Sequence, residues 1–256
     1  MVDFYRFSIF DDYPECLHAV TMRSEDAPCS LSLALHTGEP KDQIIANRKR
    51  VERDLGGGEH LHFVVANQTH SDHIHVVTDT QTKGWEGMKD AIEDCDALMS
   101  DRPGVVLAVL TADCVPILLY DPEHKAVAAV HAGWKGTNAH IVSKTVAKMS
   151  EVYGSDPSQL IAGIAPAIGK CCYEVGKDVA QHFFDVEEAI ESKGEKYMLD
   201  LPYINKYQLV EAGLQEAYIQ PSGICTACNT KHFFSYRKEQ GCSGRFMSLI
   251  GISSAV

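Results

Sequence analysis

The sequence predicts a mixed α/β fold in which a buried β-sheet is covered on both faces. Between Asp96 and Val130, four short apolar segments follow one another and are hydrophobic on both faces, which is typical of strands enclosed between other layers. An amphipathic segment over residues 137–154 predicts a covering helix. With 45% hydrophobic and 23% charged residues, the composition is that of a globular protein. We expect one domain spanning residues 1–256.

The strands are predicted from short apolar runs bounded by turn residues. Residues 1–60 are mixed in character and give no clear element. The run at 61–66 is rich in β-branched and aromatic residues and stops at a polar tetrad, Gln68 to Ser71, which indicates a strand followed by a functional loop. The further predicted strands before the main helix are 74–78, 96–100, 105–110, 115–120 and 126–130.

The helix over 137–154 is the most clearly patterned element. Its apolar residues, among them Ile141, Val146 and Met149, recur at helical spacing, Thr137 is the candidate N-cap, and Gly154 lies just beyond the end. The rest of the chain predicts strands at 160–166, 232–237 and 246–252 and helices at 174–185 and 203–218.

Charge narrows the class of partner. The chain has 23 basic and 35 acidic residues and a net charge of -12, which disfavours broad binding to nucleic acid or an anionic membrane. A small-molecule substrate is expected, bound by a monomer or a homodimer. The N-terminus lacks the pattern of a signal peptide, so we expect a cytoplasmic protein whose nine cysteines are reduced.

Three residues at strand ends form a candidate metal site. His70, Cys114 and His131 each lie where a predicted strand meets a loop, and imidazole nitrogen and thiolate sulfur are the donors that zinc prefers. Three such ligands leave a fourth position for substrate or water. Gly133 and Gly136 lie close behind His131, and glycine allows the backbone to approach a ligand closely.

The same atoms allow a different chemistry. Cys114 as a thiolate nucleophile with His131 as its base is the arrangement of cysteine hydrolases, and the residues alone do not separate this alternative from metal ligation. A metal-protected thiol would favour ligation.

Two further patterns are weaker metal candidates. The pairs His60-x-His62 and His73-x-His75 are suited to copper, but a four-copper oxidase also needs a His-Cys-His segment, which the sequence lacks. Cys225-x-x-Cys228 has the spacing of a structural zinc site, but only His232 and Cys242 follow it, and packing is the expected role of Cys171-Cys172.

Several longer segments resemble one known family. They are QTHSDH (68–73), DALMSDRPGVVLAVLTADCVPILLYDP (96–122), VAAVHAGWKGT (127–137), IAPAIGKCCYEVG (164–176), CTACNTKHFFSYR (225–237) and SGRF (243–246). In this order, over roughly residues 45–252, the chain resembles the YfiH/laccase-domain family. Members are described as multicopper polyphenol oxidases, purine nucleoside phosphorylases or peptidoglycan editing factors.

The resemblance implies a four-layer α/β/β/α sandwich of the type also found in cytotoxic necrotizing factor. It implies that His70, Cys114 and His131 hold Zn²⁺, with Cu²⁺ as the alternative ion. Further roles follow by position: catalysis for Cys114, His131 and Arg48, and substrate binding for Asn47, Gln68 and Lys135.

The activity implied is that of a zinc-dependent purine nucleoside enzyme, which cleaves adenosine, inosine or methylthioadenosine with phosphate and deaminates adenosine. Arg48 and Lys135 are the candidate phosphate contacts, although Lys135 stands where the family has Arg. The N-terminal loop also departs from the family, because SEDAPCS follows Arg23 where a Gly-rich turn is usual. The alternatives are a copper polyphenol oxidase and a cysteine-type hydrolase that edits peptidoglycan precursors.

Overall fold

The computed structural model describes residues 1–56, 58, 60–241 and 244–254. The helices are α1 (Lys41–Gly56), α2 (Trp134–Asn138), α3 (Ile141–Tyr153), α4 (Lys177–Ala180) and α5 (Leu201–Glu211). The strands are β1 (Phe4–Tyr5), β2 (Cys16–Thr21), β3 (His62–Val65), β4 (Ile74–Val76), β5 (Ala97–Ser100), β6 (Val105–Thr111), β7 (Val115–Asp121), β8 (Ala126–Ala132), β9 (Ile161–Ile164), β10 (Glu174–Val175), β11 (Ile190–Lys193), β12 (Lys196–Leu199), β13 (Ile219–Pro221) and β14 (Phe246–Ile252).

Two large sheets organise these strands. One has the order β1-β2-β14-β6-β3 and the other the order β13-β9-β7-β8-β5-β4, while β10, β12 and β11 form a small third sheet. The last strand, β14, lies between β2 and β6 and is antiparallel to both. Segments from the beginning, the middle and the end of the chain therefore share one sheet.

The two large sheets pack face to face between helices. Along β7, Leu118 and Tyr120 belong to a core that also includes β2, β3, β6 and β14, so this face contacts the other sheet. Ile117 and Leu119 belong to a second core with residues of α3 and α5. A third core joins α1 to the outer face of the five-stranded sheet. The four layers are thus α/β/β/α, and the predicted fold class is confirmed.

The prediction of a single buried sheet from the segments between Asp96 and Val130 was wrong. The strand β6 belongs to the five-stranded sheet, whereas β5, β7 and β8 belong to the six-stranded sheet. All four strands are apolar on both faces because each large sheet lies between the other large sheet and a helical layer. A sheet between two helical layers gives the same pattern, so the pattern alone does not distinguish the two arrangements.

The main helix begins later than predicted. Thr137 lies inside the short helix α2, and His140, in the left-handed region at φ 58°, separates α2 from α3. The expected end is confirmed, since Gly154 is the C-cap with φ 79°.

Other boundaries in the second half also differ. The predicted helix at 174–185 is interrupted, because 174–175 is strand and only 177–180 is α-helical, and the one at 203–218 ends at Glu211. The segment 232–237 is not a strand. In the first sixty residues, α1 and β2 were not predicted. Among the described residues, no helix is both long and apolar enough to cross a membrane.

Candidate active site

The three predicted ligands come from both large sheets and meet at one end of the space between them. His70 lies in the loop after β3, Cys114 in the turn that joins β6 to β7, and His131 near the end of β8. One donor atom from each side chain lies within 4.8 Å of the others, and Cys114 Sγ is 3.8 Å from His70 Nε2. The structure therefore brings all three together, with His70 exposed, Cys114 half-buried and His131 buried.

The carboxylate of Asp96 positions both histidines. Its Oδ1 is 2.7 Å from His131 Nδ1 and accepts a hydrogen bond from the backbone N–H of His70 at 3.1 Å. Its Oδ2 accepts hydrogen bonds from the N–H and hydroxyl of Ser71, both at 2.7 Å, and from the N–H of Thr69 at 3.1 Å. These bonds hold His70 in the left-handed region at φ 61°. Because Asp96 engages Nδ1 of His131, Nε2 of that ring is left to face a metal.

Asp113 fixes the turn that presents Cys114. It adopts φ 96°, and its carboxylate accepts hydrogen bonds from the Thr226 hydroxyl at 2.7 Å and from the Arg237 N–H at 2.6 Å. Its carbonyl accepts a bond from the Ile168 N–H at 2.9 Å. The turn is thus tied to segments far along the chain.

The residues present fit a metal ion. Two imidazoles and one thiol form the donor set, and the second ring nitrogen of His131 is held by a carboxylate, as is usual for histidines that bind metals. Gly133 gives the donors room, because a Cβ there would lie 2.8 Å from His70 Cδ2 and 3.1 Å from Cys114 Sγ.

Charge coupling sets the protonation of the same groups. Burial would raise the pKa of Cys114, but the positive charge and hydrogen bond of His131, with help from His70, lower it. Burial would lower the pKa of His131, yet Cys114 and Asp96 raise it. The pKa of Asp96 lies well below its usual range despite burial, because His131 and Ser71 donate to it. The thiolate so favoured is the form that binds metals and also the form that attacks electrophiles.

A cavity of about 550 Å³ opens beside the three donors. This volume is within the usual range for small-molecule sites. Its walls combine aromatic rings, two arginines and polar loop residues. They are His36, Ala66, Asn67, Gln68, His70, Met88, Leu110, Thr111, Ala112, Asp113, Cys114, His131, Trp134, Tyr173, Tyr236, Arg237 and Arg245.

Two of the predicted site residues lie away from this cavity. Arg48 is fully buried and donates hydrogen bonds to the carbonyls of Leu33 at 2.9 Å, Gly84 at 2.6 Å and Trp85 at 2.7 Å. Asn47, also fully buried, donates to two backbone carbonyls of the 28–32 segment. Neither side chain lines the cavity, so the structure gives both a role in holding α1 to neighbouring loops.

The other two lie at or near it. Gln68 lines the cavity, but its amide is paired with the backbone N–H and carbonyl of Leu110, both at 2.8 Å, so it fixes the wall. Lys135 is exposed, and its Nζ is 5.8 Å from the centre of the Trp134 ring, which itself lines the cavity.

Sequence reasoning missed the residues that complete the site. From the sequence, Asp96 was predicted only as the start of a strand. Its carboxylate comes directly before β5, and β5 pairs with β8, the strand that carries His131, so this position could have indicated a partner for His131. Arg237 and Arg245 lie within segments that resemble the family, but nothing in the spacing placed their side chains beside Cys114.

Fold and site together define an α/β/β/α protein with a His/Cys/His candidate metal centre beside a small-molecule cavity. The family described as "multi-copper polyphenol oxidoreductase laccase" matches residues 18–253. The chain belongs to this laccase-like family, which includes proteins named YlmD and YfiH. The resemblance noted in the sequence is confirmed.

Relatives with names and solved structures cover most of the chain. A protein of Bacillus subtilis named purine nucleoside phosphorylase YlmD is 34% identical over 88% of this chain and 83% of its own. A protein named adenosine deaminase RL5, from an unknown prokaryotic organism, is 34% identical over 72% of each chain. The crystal structure of Bacillus licheniformis hypothetical protein YfiH is 36% identical, with a TM-score of 0.89 and 95% of both chains covered. The expectation that the chain is an enzyme is confirmed by these relatives.

Proposed function

We propose that this protein is a zinc-dependent purine nucleoside enzyme, which cleaves adenosine, inosine or methylthioadenosine with phosphate and deaminates adenosine. The observation that carries the proposal is the placement of His70, Cys114 and His131 at the wall of a cavity of about 550 Å³. The names of the relatives support the substrate class.

The donor set supports zinc as the ion. Two imidazoles and a thiolate match catalytic zinc sites, which use three protein ligands. Zinc bound there would supply Lewis acidity at neutral pH. The protein's own contribution is the Asp96 carboxylate, which holds the proton on Nδ1 of His131 and fixes the orientation of that ring.

Two arginines at the cavity supply positive charge for a phosphate. Arg237 and Arg245 line the same cavity as Cys114, in a molecule whose net charge is -12. Arg237 is held in place by a hydrogen bond from its Nη1 to the carbonyl of Glu174 at 2.7 Å. Guanidinium groups bind phosphate oxygens in pairs, so these residues suit phosphate better than the enclosed Arg48. Lys135 remains a proposed contact at the cavity mouth.

Aromatic rings provide surfaces for a purine. Trp134, Tyr173 and Tyr236 line the cavity, and Trp134 is stacked on His182 with 6.0 Å between ring centres. A flat base gains by stacking between such rings, and the sugar would then face the donors.

The rival chemistries make different demands on the same site. For a cysteine-type hydrolase, Cys114 has to be free and its thiolate paired with His131. For a copper polyphenol oxidase, copper has to be retained and phenols oxidised in air. Within the described part of the chain, the groups of three or more close metal donors are the His/Cys/His site and one group of four cysteines, with no cluster of several histidines.

The test is an assay of purified protein with adenosine, with and without phosphate, followed by chromatography of adenine, ribose 1-phosphate and inosine. We expect adenine and ribose 1-phosphate only when phosphate is present, and inosine in either case. Cys114→Ala should lower both activities by about 100-fold or more, because it removes a ligand of the proposed metal. The matched control is Cys29→Ala, which changes a cysteine outside the cavity.

An absence of product above the Cys114→Ala background would overturn the proposal. Alkylation separates the hydrolase alternative, since a Cys114 thiol bound to metal resists iodoacetamide and a free nucleophile reacts. Phenol oxidation by protein that retains copper would favour the oxidase.

The location, oligomeric state and partners of the enzyme are also part of the proposal. We place it in the cytoplasm, as a monomer or homodimer without nucleic-acid or membrane partners, consistent with the acidic charge. A single domain is supported by β14, which joins the beginning and the middle of the chain in one sheet.

A further inference from the structure

Four cysteines outside the active site meet at one point. Cys171 and Cys172 lie just before β10, and Cys225 and Cys228 lie after β13, more than fifty residues later. Their four sulfur atoms all lie within 4.8 Å of one another. We call these residues the four-cysteine cluster. From the sequence, packing was the expected role of Cys171 and Cys172, and no second pair of ligands was found for Cys225 and Cys228. The fold brings the two pairs together, which their spacing in the sequence did not show. Cys242 lies outside the described residues.

Two of the distances between the sulfurs are close to those of a tetrahedral site. Cys228 Sγ lies 3.4 Å from Cys172 Sγ and 3.7 Å from Cys171 Sγ. Four sulfurs each bonded to one zinc ion at about 2.3 Å lie about 3.8 Å from one another. Cys228 Sγ thus lies at similar distances from two sulfurs, as a shared metal ion requires. A disulfide would bring it close to only one of them.

The surrounding backbone is shaped for thiolates. The Gly169 N–H donates to Cys225 Sγ at 3.3 Å, a bond that stabilises negative charge on the sulfur. A Cβ on Gly169 would lie 3.6 Å from Cys171 Sγ and 3.3 Å from the Cβ of Cys225, so the glycine keeps the two segments close. The Cys225 carbonyl accepts hydrogen bonds from the Asn229 backbone and side chain, at 3.1 and 2.8 Å.

An ion has a route to the cluster. Cys171 and Cys228 are exposed, and Cys172 and Cys225 are half-buried. Cys171 and Cys225 also line a second cavity, of about 370 Å³. Among the described residues, the group of close donors consists of these four cysteines alone, so a cation bound there would be held by sulfur only.

We propose that the four-cysteine cluster is a second metal site, which binds one zinc ion through four thiolates and has a structural role. Four protein ligands close the coordination shell, which is the arrangement of structural zinc. Binding releases the thiol protons to solvent and changes no oxidation state.

The site ties together two segments that build the active-site wall. Tyr173, directly after Cys172, lines the cavity. Thr226, directly after Cys225, donates to the carboxylate of Asp113, which shapes the Cys114 turn. A metal between these segments therefore holds Tyr173 and the Cys114 turn in place, without contact with the substrate.

The experiment is metal analysis of the full-length protein, purified under anaerobic conditions without a metal-affinity step. We expect two zinc ions per wild-type chain, and one in each of two double variants, Cys225→Ser/Cys228→Ser and His70→Asn/Cys114→Ala. Asn is chosen at His70 because it tolerates the left-handed backbone found there. Cys29→Ser is the matched control and should keep two ions.

The two double variants also separate this inference from the proposed function. If wild type and the His70→Asn/Cys114→Ala variant each bind one zinc ion and the Cys225→Ser/Cys228→Ser variant binds none, the active-site metal fails and the four-cysteine cluster stands. If the Cys225→Ser/Cys228→Ser variant binds as much zinc as wild type, the cluster proposal is overturned.

A measurement on the wild-type chain tests the cluster proposal even if the Cys225→Ser/Cys228→Ser variant does not fold. Cobalt-substituted protein should show the strong sulfur-to-metal absorption of a tetrathiolate site, and the four cysteines should resist iodoacetamide until a chelator is added. Free alkylation of all four in native protein, or disulfides between them in peptide mass spectra, would overturn the proposal.

Discussion

The carboxylate of Asp96 holds two of the three candidate ligands, because it engages His131 Nδ1 and the backbone N–H of His70. The groups that form hydrogen bonds with its carboxylate are donors, and the residue is almost fully buried. An amide at this position would turn one N–H₂ group toward other donors.

Asp96→Asn should therefore lower zinc affinity about 10- to 100-fold, the usual cost of losing a carboxylate behind a ligating histidine. Competition with a fluorescent zinc chelator measures the change. The control is Asp101→Asn, whose carboxylate pairs with Arg102 at 3.2 Å and lies outside the cavity lining. Equal zinc affinity of Asp96→Asn and wild type would show that His131 and the His70 loop keep their positions without the carboxylate.

Single residues were predictable from sequence where their chemistry is rare. His70, Cys114 and His131 combine strong metal donors with strand ends, and the structure brings them together. Arg48 and Asn47 were placed at the pocket by resemblance alone, and a buried arginine that bonds carbonyls has the same sequence signature as one that bonds phosphate. Only the direction of the side chain distinguishes the two roles.

At the scale of elements, Arg48 connects helix α1 to the rest of the fold. Its guanidinium satisfies carbonyls of the loop before α1 and of residues 84–85, and it lies over the Trp85 ring at 5.2 Å. Burial lowers the pKa of Arg48 to about 10, and it stays charged at neutral pH.

Arg48→Met should lower the free energy of unfolding by about 2–4 kcal/mol, because it leaves buried carbonyls without donors. Turnover per folded molecule should stay within about twofold of wild type, a margin worth about 0.4 kcal/mol. Urea unfolding and active-site-normalised kinetics measure the two effects. Lys49→Met, an exposed neighbour on the same helix, should change neither. A large loss of turnover at unchanged stability would restore the catalytic role expected from the sequence.

Element boundaries were predictable where one local signal dominates. Gly154 ends α3 because its left-handed backbone suits glycine, and β14 is an apolar run interrupted only by Ser248 and Gly251. The start of α3 was missed because His140 adopts the left-handed conformation without a glycine. The segment 232–237 has the pattern of a strand, yet a local bond from Ser235 N–H to Glu239 Oε2 at 3.0 Å and a long-range bond from Arg237 N–H to Asp113 Oδ2 at 2.6 Å hold it in turns.

At the scale of the whole molecule, the long-range pairings were beyond single-sequence reasoning. Strands that are apolar on both faces do not reveal whether a helix or a second sheet covers them, and the four-layer order came from the resemblance. The four-cysteine cluster is a similar case, since no local spacing joins residues 171–172 to 225–228. Contacts between residues far apart in the sequence depend on how the whole chain folds back on itself. Composition and periodicity do not predict that.

The proposed single-domain organisation leads to a prediction about unfolding. The chain has two tryptophans, in opposite outer layers: Trp85 packs in the core beside α1, and Trp134 packs against the core beside α3 and α5. Trp85 is stacked on Phe63 with 4.2 Å between ring centres, so its fluorescence reports on the α1 layer.

The single-tryptophan variants Trp134→Phe and Trp85→Phe allow each layer to be followed separately in urea. Within each variant, the fluorescence and far-UV circular dichroism transitions should have the same midpoint, because the two sheets share a core and β14 bonds to both β2 and β6. Comparison within a variant removes the effect of each substitution on stability. If the Trp85 signal changes at a lower urea concentration than the circular dichroism, α1 and the five-stranded sheet unfold as a separate unit. Coincident midpoints in both variants mean that the sheet which carries His70 and the sheet which carries His131 lose their structure together, so that the candidate metal centre exists only in the intact four-layer fold.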